Sequence, residues 1–203
     1  MPVLVKADET PENNWLIDGF DIYIKQITKT LHLFSNTHFD PITMSENIIR
    51  VGILNAKNLA AADNTGFSDP YVVMRVNHKK YKTKAIKQTL DPVWDAHFDT
   101  KVSPKKTPTL LSFTVWDKDT FGRDFLGEVT IPFKNIFDRN NQGVSDGVPR
   151  NYKDPSNYEA YFQLAKRSEK NNVSGDLCLK FGILEDHIGD VKRYADAWEL
   201  LNP

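Results

Sequence analysis

The sequence predicts an all-β sandwich, and three observations support this prediction. From Ile48 onward, short runs rich in β-branched and aromatic residues alternate with turns. Asp-Pro, Gly and Asn clusters fill the gaps between these runs. The chain has 203 residues, of which 40% are hydrophobic and 26% are charged, so it is long enough for one domain with its own core and with extensions.

Eight strands can be counted in this part of the chain, each bounded by turn residues. We predict strands at 48–57, 70–77, 79–87, 94–101, 110–117, 125–132, 158–165 and 175–184. Between the sixth and seventh strands, residues 138–157 are rich in Asn, Gly, Asp and Pro, which predicts a long surface loop.

The segment before the strands has a different pattern. Residues 1–14 are polar and contain two prolines, which predicts a disordered leader. Apolar residues then recur at three-and-four spacing, which predicts an amphipathic helix over 18–34 that packs on the domain or binds a membrane interface or a partner. A strand through Phe20, Ile22 and Ile24 is the alternative.

Helical spacing returns after the last strand. Apolar residues from Ile188 to Leu201 recur at this spacing, which predicts a short amphipathic helix that closes the chain. The sequence therefore predicts three parts: a leader with one helix at 1–46, the sandwich at 48–185 and the C-terminal helix at 186–203.

Composition argues against several classes of function. The formal net charge is −1, so no global field attracts the chain to nucleic acid. The one cysteine, Cys178, has no partner for an intramolecular disulfide, and the first residues lack the apolar core of a signal peptide. No apolar run reaches the roughly eighteen residues of a membrane span. We therefore expect a cytoplasmic protein that contacts membranes peripherally.

Five aspartates gather in two of the predicted turns. Asp63 and Asp69 flank the first turn, and Asp117, Asp119 and Asp124 lie in the second. Carboxylates repel one another, and such crowding is typical of a site where a hard divalent cation takes six to eight oxygen ligands. The pattern therefore predicts a calcium site.

Each acidic turn also resembles a family signature. Gly-Phe-Ser-Asp-Pro-Tyr at 66–71 follows an apolar strand and is similar to the opening loop of a C2 domain. Asp-Phe-Leu-Gly at 124–127 resembles the end of that family's third loop. The resemblance covers residues 48–185 and implies an eight-stranded antiparallel C2 β-sandwich. Because the first predicted strand already leads into the Asp63 turn, the strand order resembles the type II permutation.

The resemblance also implies how calcium is bound. Its ligands would come from two loops at one end of the sandwich: Asp63, Asp69, Asp117, Asp119 and Asp124. The alternative is that Asp63 and Asp69 only cap turns. The spacing from Asp119 to Asp124 is one residue shorter than is common in the family, so we expect Asp124 to be the poorest ligand and a second calcium ion to bind more weakly than the first.

An EF-hand loop is the competing calcium motif. Asp117, Asp119, Gly122 and Glu128 occupy its positions 1, 3, 6 and 12. The residues at positions 5 and 8 do not fit that motif, and the preceding segment 111–116 alternates as a strand rather than as a helix. The sequence therefore favours the C2 interpretation.

Aromatic residues at the two acidic turns suggest contact with lipid. Phe67 and Phe121 lie at the tips of these turns, where members of the family insert side chains into the bilayer. Arg123 stands beside Phe121, and we expect it to meet lipid phosphate. The alternatives are that each phenylalanine folds back onto its own loop and that Arg123 is a solvated charge.

A second lipid contact is predicted on the third strand. Lys80, Lys82 and Lys84 alternate with other residues and therefore share one face. In the family this face often binds phosphoinositides and other anionic lipids. A simply solvated face of the sheet is the alternative.

The resemblance implies a reversible membrane-targeting module that binds anionic phospholipid, with phosphatidylserine as the expected lipid, when calcium rises. The alternative is a calcium-independent protein-interaction or scaffolding module that uses the flanking helices. An enzyme is the third hypothesis, but the five histidines are scattered and the sequence has no phosphate-binding Gly loop or nucleophile elbow, so we expect no catalysis. C2 modules also serve larger proteins such as fungal phosphatidylserine decarboxylases, and the chain fits the targeting module of such a protein.

Overall fold

Eight strands form in the described part of the chain, near the positions that the sequence predicts. The computed structural model describes residues 47–62, 66–120, 122–137, 148–184 and 191–201. The strands are β1 (Asn47–Lys57), β2 (Pro70–Val76), β3 (Lys79–Lys82), β4 (Val93–Val102), β5 (Leu110–Lys118), β6 (Arg123–Pro132), β7 (Ala160–Gln163) and β8 (Asp176–Ile183). The predicted leader and the predicted 18–34 helix lie outside the described residues.

The strands build two antiparallel four-stranded sheets. Sheet A has the order β4-β1-β8-β7, and sheet B has the order β3-β2-β5-β6. The last strand pairs with the first, with Ile183 opposite Ile49 and Leu179 opposite Ile53. Because β1 leads into the connection that contains Asp63, this is the type II order that the resemblance implies.

The core lies between the two sheets because the inward residues of each strand are apolar. On β5, Leu111, Phe113 and Val115 are fully buried against sheet A, whereas Ser112 and Thr114 between them lie on the opposite face of sheet B. Phe113 meets Phe181 of sheet A edge to face, with ring centroids 6.3 Å apart. Burying a side chain of this size is worth about 1.5–3 kcal/mol, so these contacts hold the two sheets together.

A bulge in β6 sets the register of the acidic hairpin. Phe125 pairs with Trp116 but Gly127 pairs with Val115, so Leu126 is an extra residue on β6. Gly127 has a φ of 140°, and a Cβ there would lie 2.7 Å from a side chain in the connection after β7. Glycine is therefore required at this point of the sandwich.

β3 is shorter than predicted, because it ends at Lys82 and not at residue 87. Beyond it, Thr83 closes a pair of hydrogen bonds with Val72: its N–H donates to the carbonyl at 3.0 Å, and its Oγ1 accepts from the N–H at 2.9 Å. The Ile86 N–H then donates to the Pro70 carbonyl at 3.1 Å. Lys84 therefore lies past the end of the strand on which it was predicted.

The predicted surface loop at 138–157 is packed in its second half, so that prediction is wrong for residues 148–157, which we call the strap. The Tyr152 N–H donates to the Ile183 carbonyl at 2.9 Å, and the Ile183 N–H donates to the Arg150 carbonyl at 2.9 Å. These bonds fasten the strap to the end of β8.

Two glycines on the outer face of sheet A make room for the strap. Tyr152 is 8% exposed and lies over Gly52 and Gly182, where an added Cβ would collide with it. The ring of His97 meets the Tyr152 ring edge to face, with centroids 5.5 Å apart. The loop is buried here because the sheet beneath it has no side chains at two positions.

The helix α1 (Val191–Leu201) forms within the segment where the sequence predicts a closing helix. Tyr194 is 1% exposed and belongs to the core of the sandwich. Trp198 contacts the rings of Phe133 and Phe137, with centroid distances of 5.2 and 4.8 Å. The helix is therefore packed on the sandwich through these aromatic residues.

Candidate functional site

The acidic residues lie at one end of the sandwich, where the β1–β2 connection and the β5–β6 hairpin meet. Asp69 directly precedes Pro70, the first residue of β2. Across sheet B, Pro70 pairs with Asp117, and Asp117 pairs with Asp124. Asp69 at the start of β2, Asp117 on β5 and Asp124 on β6 are therefore neighbours, which the sequence spacing alone does not establish.

These aspartates differ in exposure. Asp117 is fully buried, Asp69 and Asp119 are partly buried, and Asp124 is exposed. The site thus has an inner wall at Asp117 and an outer rim at Asp124. Asp63, the remaining predicted ligand, lies outside the described residues.

Asp69 links the β1–β2 connection to the end of β5 and to the connection between β3 and β4. Its N–H donates to Asp117 Oδ1 at 2.6 Å, and its carbonyl accepts from the Lys118 N–H at 3.1 Å. Its Oδ1 accepts from the Gln88 N–H at 2.8 Å. These bonds fix the orientation of two carboxylates, since a carboxylate that accepts a backbone N–H is held in one direction.

Ser68 positions the first acidic connection and was missed from the sequence. It is fully buried, and its Oγ accepts from the Ala62 N–H at 3.1 Å and donates to the Ala60 carbonyl at 3.3 Å. Its own carbonyl accepts from the Thr89 N–H at 2.9 Å. Ser68 therefore ties the residues before Asp63 to the residues before β2. The signal was its place in the Gly-x-Ser-Asp-Pro-Tyr motif.

The Leu-Asp-Pro-Val-Trp turn at 90–94 supports the same connection from the side. Trp94 Nε1 donates to the Pro70 carbonyl at 3.1 Å. The Asn58 N–H donates to Asp91 Oδ1 at 2.8 Å. The turn thus holds both ends of the β1–β2 connection and has a structural role.

The donor set has the chemistry that calcium prefers, because aspartate oxygens are hard ligands. Within the residues that the structure describes, no group of three or more His, Cys, Asp or Glu side chains is arranged to hold a metal ion. Asp63 lies in the undescribed stretch between residues 62 and 66. The described aspartates therefore supply suitable oxygens at one place without forming a complete coordination shell.

The outer face of sheet B is basic near β3. Arg75 pairs with Lys80 and Val73 pairs with Lys82, which places both lysines on the face opposite to the core. Lys82 Nζ lies 3.9 Å from the centroid of the Tyr71 ring. A cation over an aromatic face is attracted to it, so Lys82 is held against the sheet.

Trp116 and Phe125 form the other end of this face. Tyr71 pairs with Trp116, and the Trp116 and Phe125 rings meet edge to face at 5.7 Å. The Arg123 guanidinium lies 4.0 Å from the Trp116 ring. Arg123 is therefore stacked on sheet B, beside the acidic hairpin.

Arg167 also lies on this face, and sequence reasoning missed it. It comes from the connection between β7 and β8, where no periodic pattern marks it. Its Nε and Nη2 both donate to Glu128 Oε2, at 2.8 and 2.6 Å. Its guanidinium lies 4.5 Å from the Phe125 ring.

Phe67 stands at the tip of the first acidic connection. Its side chain is 47% exposed, so it does not fold back into the core. It follows Gly66, whose φ of 81° is in the region that favours glycine. Phe121, the other predicted tip residue, lies outside the described residues.

Cys178 is buried on β8 of sheet A, where it pairs with Asn55 of β1. Burial raises the pKa of its thiol above the ordinary value. A thiol with a raised pKa is a poor nucleophile at neutral pH. This environment is the opposite of the one that activates a catalytic cysteine.

Comparisons with known proteins agree with this fold. The chain is 34% identical over 90 residues to the mouse protein Multiple C2 and transmembrane domain-containing protein 1, a match that covers 44% of this chain and 9% of that protein. The matches to the curated relatives span between 8% and 20% of their lengths. No helix within the described residues is long and apolar enough to cross a membrane.

Solved structures show the same sandwich. A C2 domain of plant Extended Synaptotagmin 1 aligns with a TM-score of 0.53 and 22% identity, over 70% of this chain and 96% of that one. The calcium-bound pair of C2 domains of Extended-Synaptotagmin 2 aligns with a TM-score of 0.50 and 21% identity, over 68% of this chain and 45% of that one. Residues 47–146 match the family model of the C2 domain. The chain therefore belongs to the C2 domain family.

Proposed function

We propose that this C2 domain is a reversible membrane-targeting module that binds anionic phospholipid, chiefly phosphatidylserine, when calcium rises. The observation that carries the proposal is that Asp69, directly before β2, lies beside the pair of Asp117 on β5 and Asp124 on β6. Asp119 and Asp63 would complete the ligand set. In this role the module associates with membranes peripherally and performs no catalysis itself.

The aspartates would act as an electrostatic switch. In the metal-free state their charges repel lipid phosphates. Bound calcium would cancel that charge and offer coordination positions to headgroup oxygens. The chain's own contribution is to hold the oxygens in place, and the hydrogen bonds from Asp69 to Asp117 and from Gln88 to Asp69 support this role.

Two surfaces would then add adhesion. Full burial of a phenylalanine is worth about 1.5–3 kcal/mol, so the 47% of Phe67 that is exposed contributes roughly half of that on entering the bilayer. Lys80 and Lys82 each contribute about 1 kcal/mol near an anionic surface, before screening by salt. Lys84 and Arg123 would extend the same basic surface, and Phe121 would accompany Phe67.

The test is sedimentation of the full chain with vesicles of phosphatidylcholine and phosphatidylserine, with calcium or with a chelator. We expect the wild type to sediment only with calcium and the Asp117→Asn/Asp119→Asn variant to remain in the supernatant. Asp95→Asn is the matched control, because Asp95 is an exposed carboxylate on sheet A. Equal binding with and without calcium would favour a calcium-independent interaction module.

The salt dependence of vesicle binding distinguishes the contribution of the lysines from that of Phe67. Replacing Lys80, Lys82 and Lys84 by alanine should weaken binding most at low ionic strength, because exposed charges are screened over about 10 Å at 0.1 M salt. Phe67→Ala should weaken binding at all salt concentrations, because burial of apolar surface is not screened. Wild-type binding by the Phe67 variant would refute insertion.

A further inference from the structure

The outer face of sheet B carries a single acidic side chain among the described residues of its four strands. That residue is Glu128 on the edge strand β6, where it pairs with Thr114 of β5. The other charged side chains on this face are basic: Arg75, Lys80, Lys82, Lys118 and Arg123. An anionic surface that approaches this face would therefore be repelled at one place.

Arg167 covers that place. Its Nε and Nη2 lie 2.8 and 2.6 Å from Glu128 Oε2. The side chain of Glu128 is 27% exposed and that of Arg167 is 45% exposed, so the cation is the more accessible partner. The pair therefore presents its positive group outward.

The backbone fixes Arg167 in this position. Two residues before it, Ala165 exchanges two backbone hydrogen bonds with Glu128, of 3.0 and 2.8 Å. The Arg167 guanidinium also lies 4.5 Å from the Phe125 ring and 5.6 Å from the Trp116 ring. The backbone bonds to β6 and the contacts with these two rings therefore position the Arg167 side chain over Glu128.

We propose that Arg167 determines the selectivity of the outer face of sheet B for anionic membranes by masking Glu128. With the carboxylate neutralised, the face is positive from Lys80 on β3 to Arg123 on β6. Arg167 lies beyond residues 47–146, the part that matches the family model. The inference rests on the proposed function and assigns a specificity residue to the same face.

The test compares Arg167→Ala, Glu128→Gln and the double variant in binding to vesicles of phosphatidylcholine and phosphatidylserine in equal parts, with calcium present at the same concentration throughout. Removing one cation near an anionic surface should weaken binding roughly fivefold. The double variant should regain most of that loss, because the carboxylate is gone as well. Lys166→Ala is the matched control, since Lys166 pairs with Glu169 in the same connection.

The rescue distinguishes masking from other roles. If the double variant binds as weakly as Arg167→Ala, or if Arg167→Ala binds like the wild type, the inference is overturned. Where Arg167→Ala fails to fold in a thermal melt, Glu128→Gln alone remains informative: it should bind at least as tightly as the wild type, and weaker binding would overturn the inference. A wild type without preference for phosphatidylserine over pure phosphatidylcholine vesicles would overturn the proposed function itself.

Discussion

Replacing Gly52 by alanine should destabilise the protein because Tyr152 of the strap occupies the space that a Cβ needs. An alanine Cβ at this position would overlap the Tyr152 hydroxyl, and it would lie 3.1 Å from Leu54 Cδ2 and 3.3 Å from Tyr152 Cζ. Forcing an extra carbon into a packed site typically costs about 1–3 kcal/mol. We expect a cost in this range for Gly52→Ala.

The same contact predicts a rescue. The Tyr152 hydroxyl is buried and has no hydrogen-bond partner among the described residues, so Tyr152→Phe removes a desolvated polar group and should be neutral or stabilising by up to about 1 kcal/mol. In the Tyr152→Phe background the overlapping hydroxyl is absent, and only the milder contacts with Leu54 Cδ2 and Cζ of residue 152 remain. Gly52→Ala should then cost less than in the wild type, which gives a coupling energy of about 1–2 kcal/mol between the two positions.

The assay is urea unfolding of the wild type, both single variants and the double variant, followed by tryptophan fluorescence. Gly122→Ala serves as the control, because a Cβ at Gly122 would meet no atom of the described residues within 4 Å. If the changes in the free energy of unfolding of the two single variants add in the double variant, or if Tyr152→Phe lowers that free energy by more than about 1 kcal/mol, the strap does not cover Gly52.

Three other predictions concern pH, the helix and the metal ligands. Burial raises the pKa of Tyr152 from 10.0 to about 12, so the stability that depends on its neutral form is complete below pH 10 and is lost as the pH rises toward 12. Urea unfolding across that window should show a smaller decrease in the free energy of unfolding for Tyr152→Phe than for the wild type. Trp198→Ala should cost about 3 kcal/mol, because it removes both ring contacts of α1, and a shift of the calorimetric melting temperature corresponding to less than about 1 kcal/mol would contradict this packing. Asp124→Asn should reduce calcium affinity less than Asp119→Asn in titration calorimetry without lipid, because Asp124 lies at the exposed rim; equal losses would refute this difference.

Most strand positions follow from local pattern. Seven of the eight strands begin and end within two residues of the predicted bounds. The exception is β3, where alternating residues continue past Lys82 but the backbone partners change. Alternation of residue types along a strand predicts which face each side chain occupies, but it does not predict where the backbone hydrogen bonds between strands end.

The strap could not be predicted, because its burial depends on residues far away in the chain. Its composition is that of a loop, and only the absence of side chains at Gly52 and Gly182 lets Tyr152 lie against sheet A. Arg167 is a similar case, since its partner Glu128 lies 39 residues earlier. The aspartates, in contrast, were predicted from their clustering in two turns and from the family signatures around them, and strand register then aligned Asp117 with Asp124.

The pairing of β8 with β1 has a consequence for synthesis of the protein. Sheet A is incomplete until the ribosome has released the chain as far as Ile183, because β8 lies between β1 and β7. Until then β1 has an open edge, which invites pairing with other nascent chains. Contacts so distant in sequence also slow folding, since a long loop must close before they form. The strands next to the acidic residues, β2, β5 and β6, are all synthesised earlier. The acidic end of sheet B can therefore assemble before β8 completes sheet A.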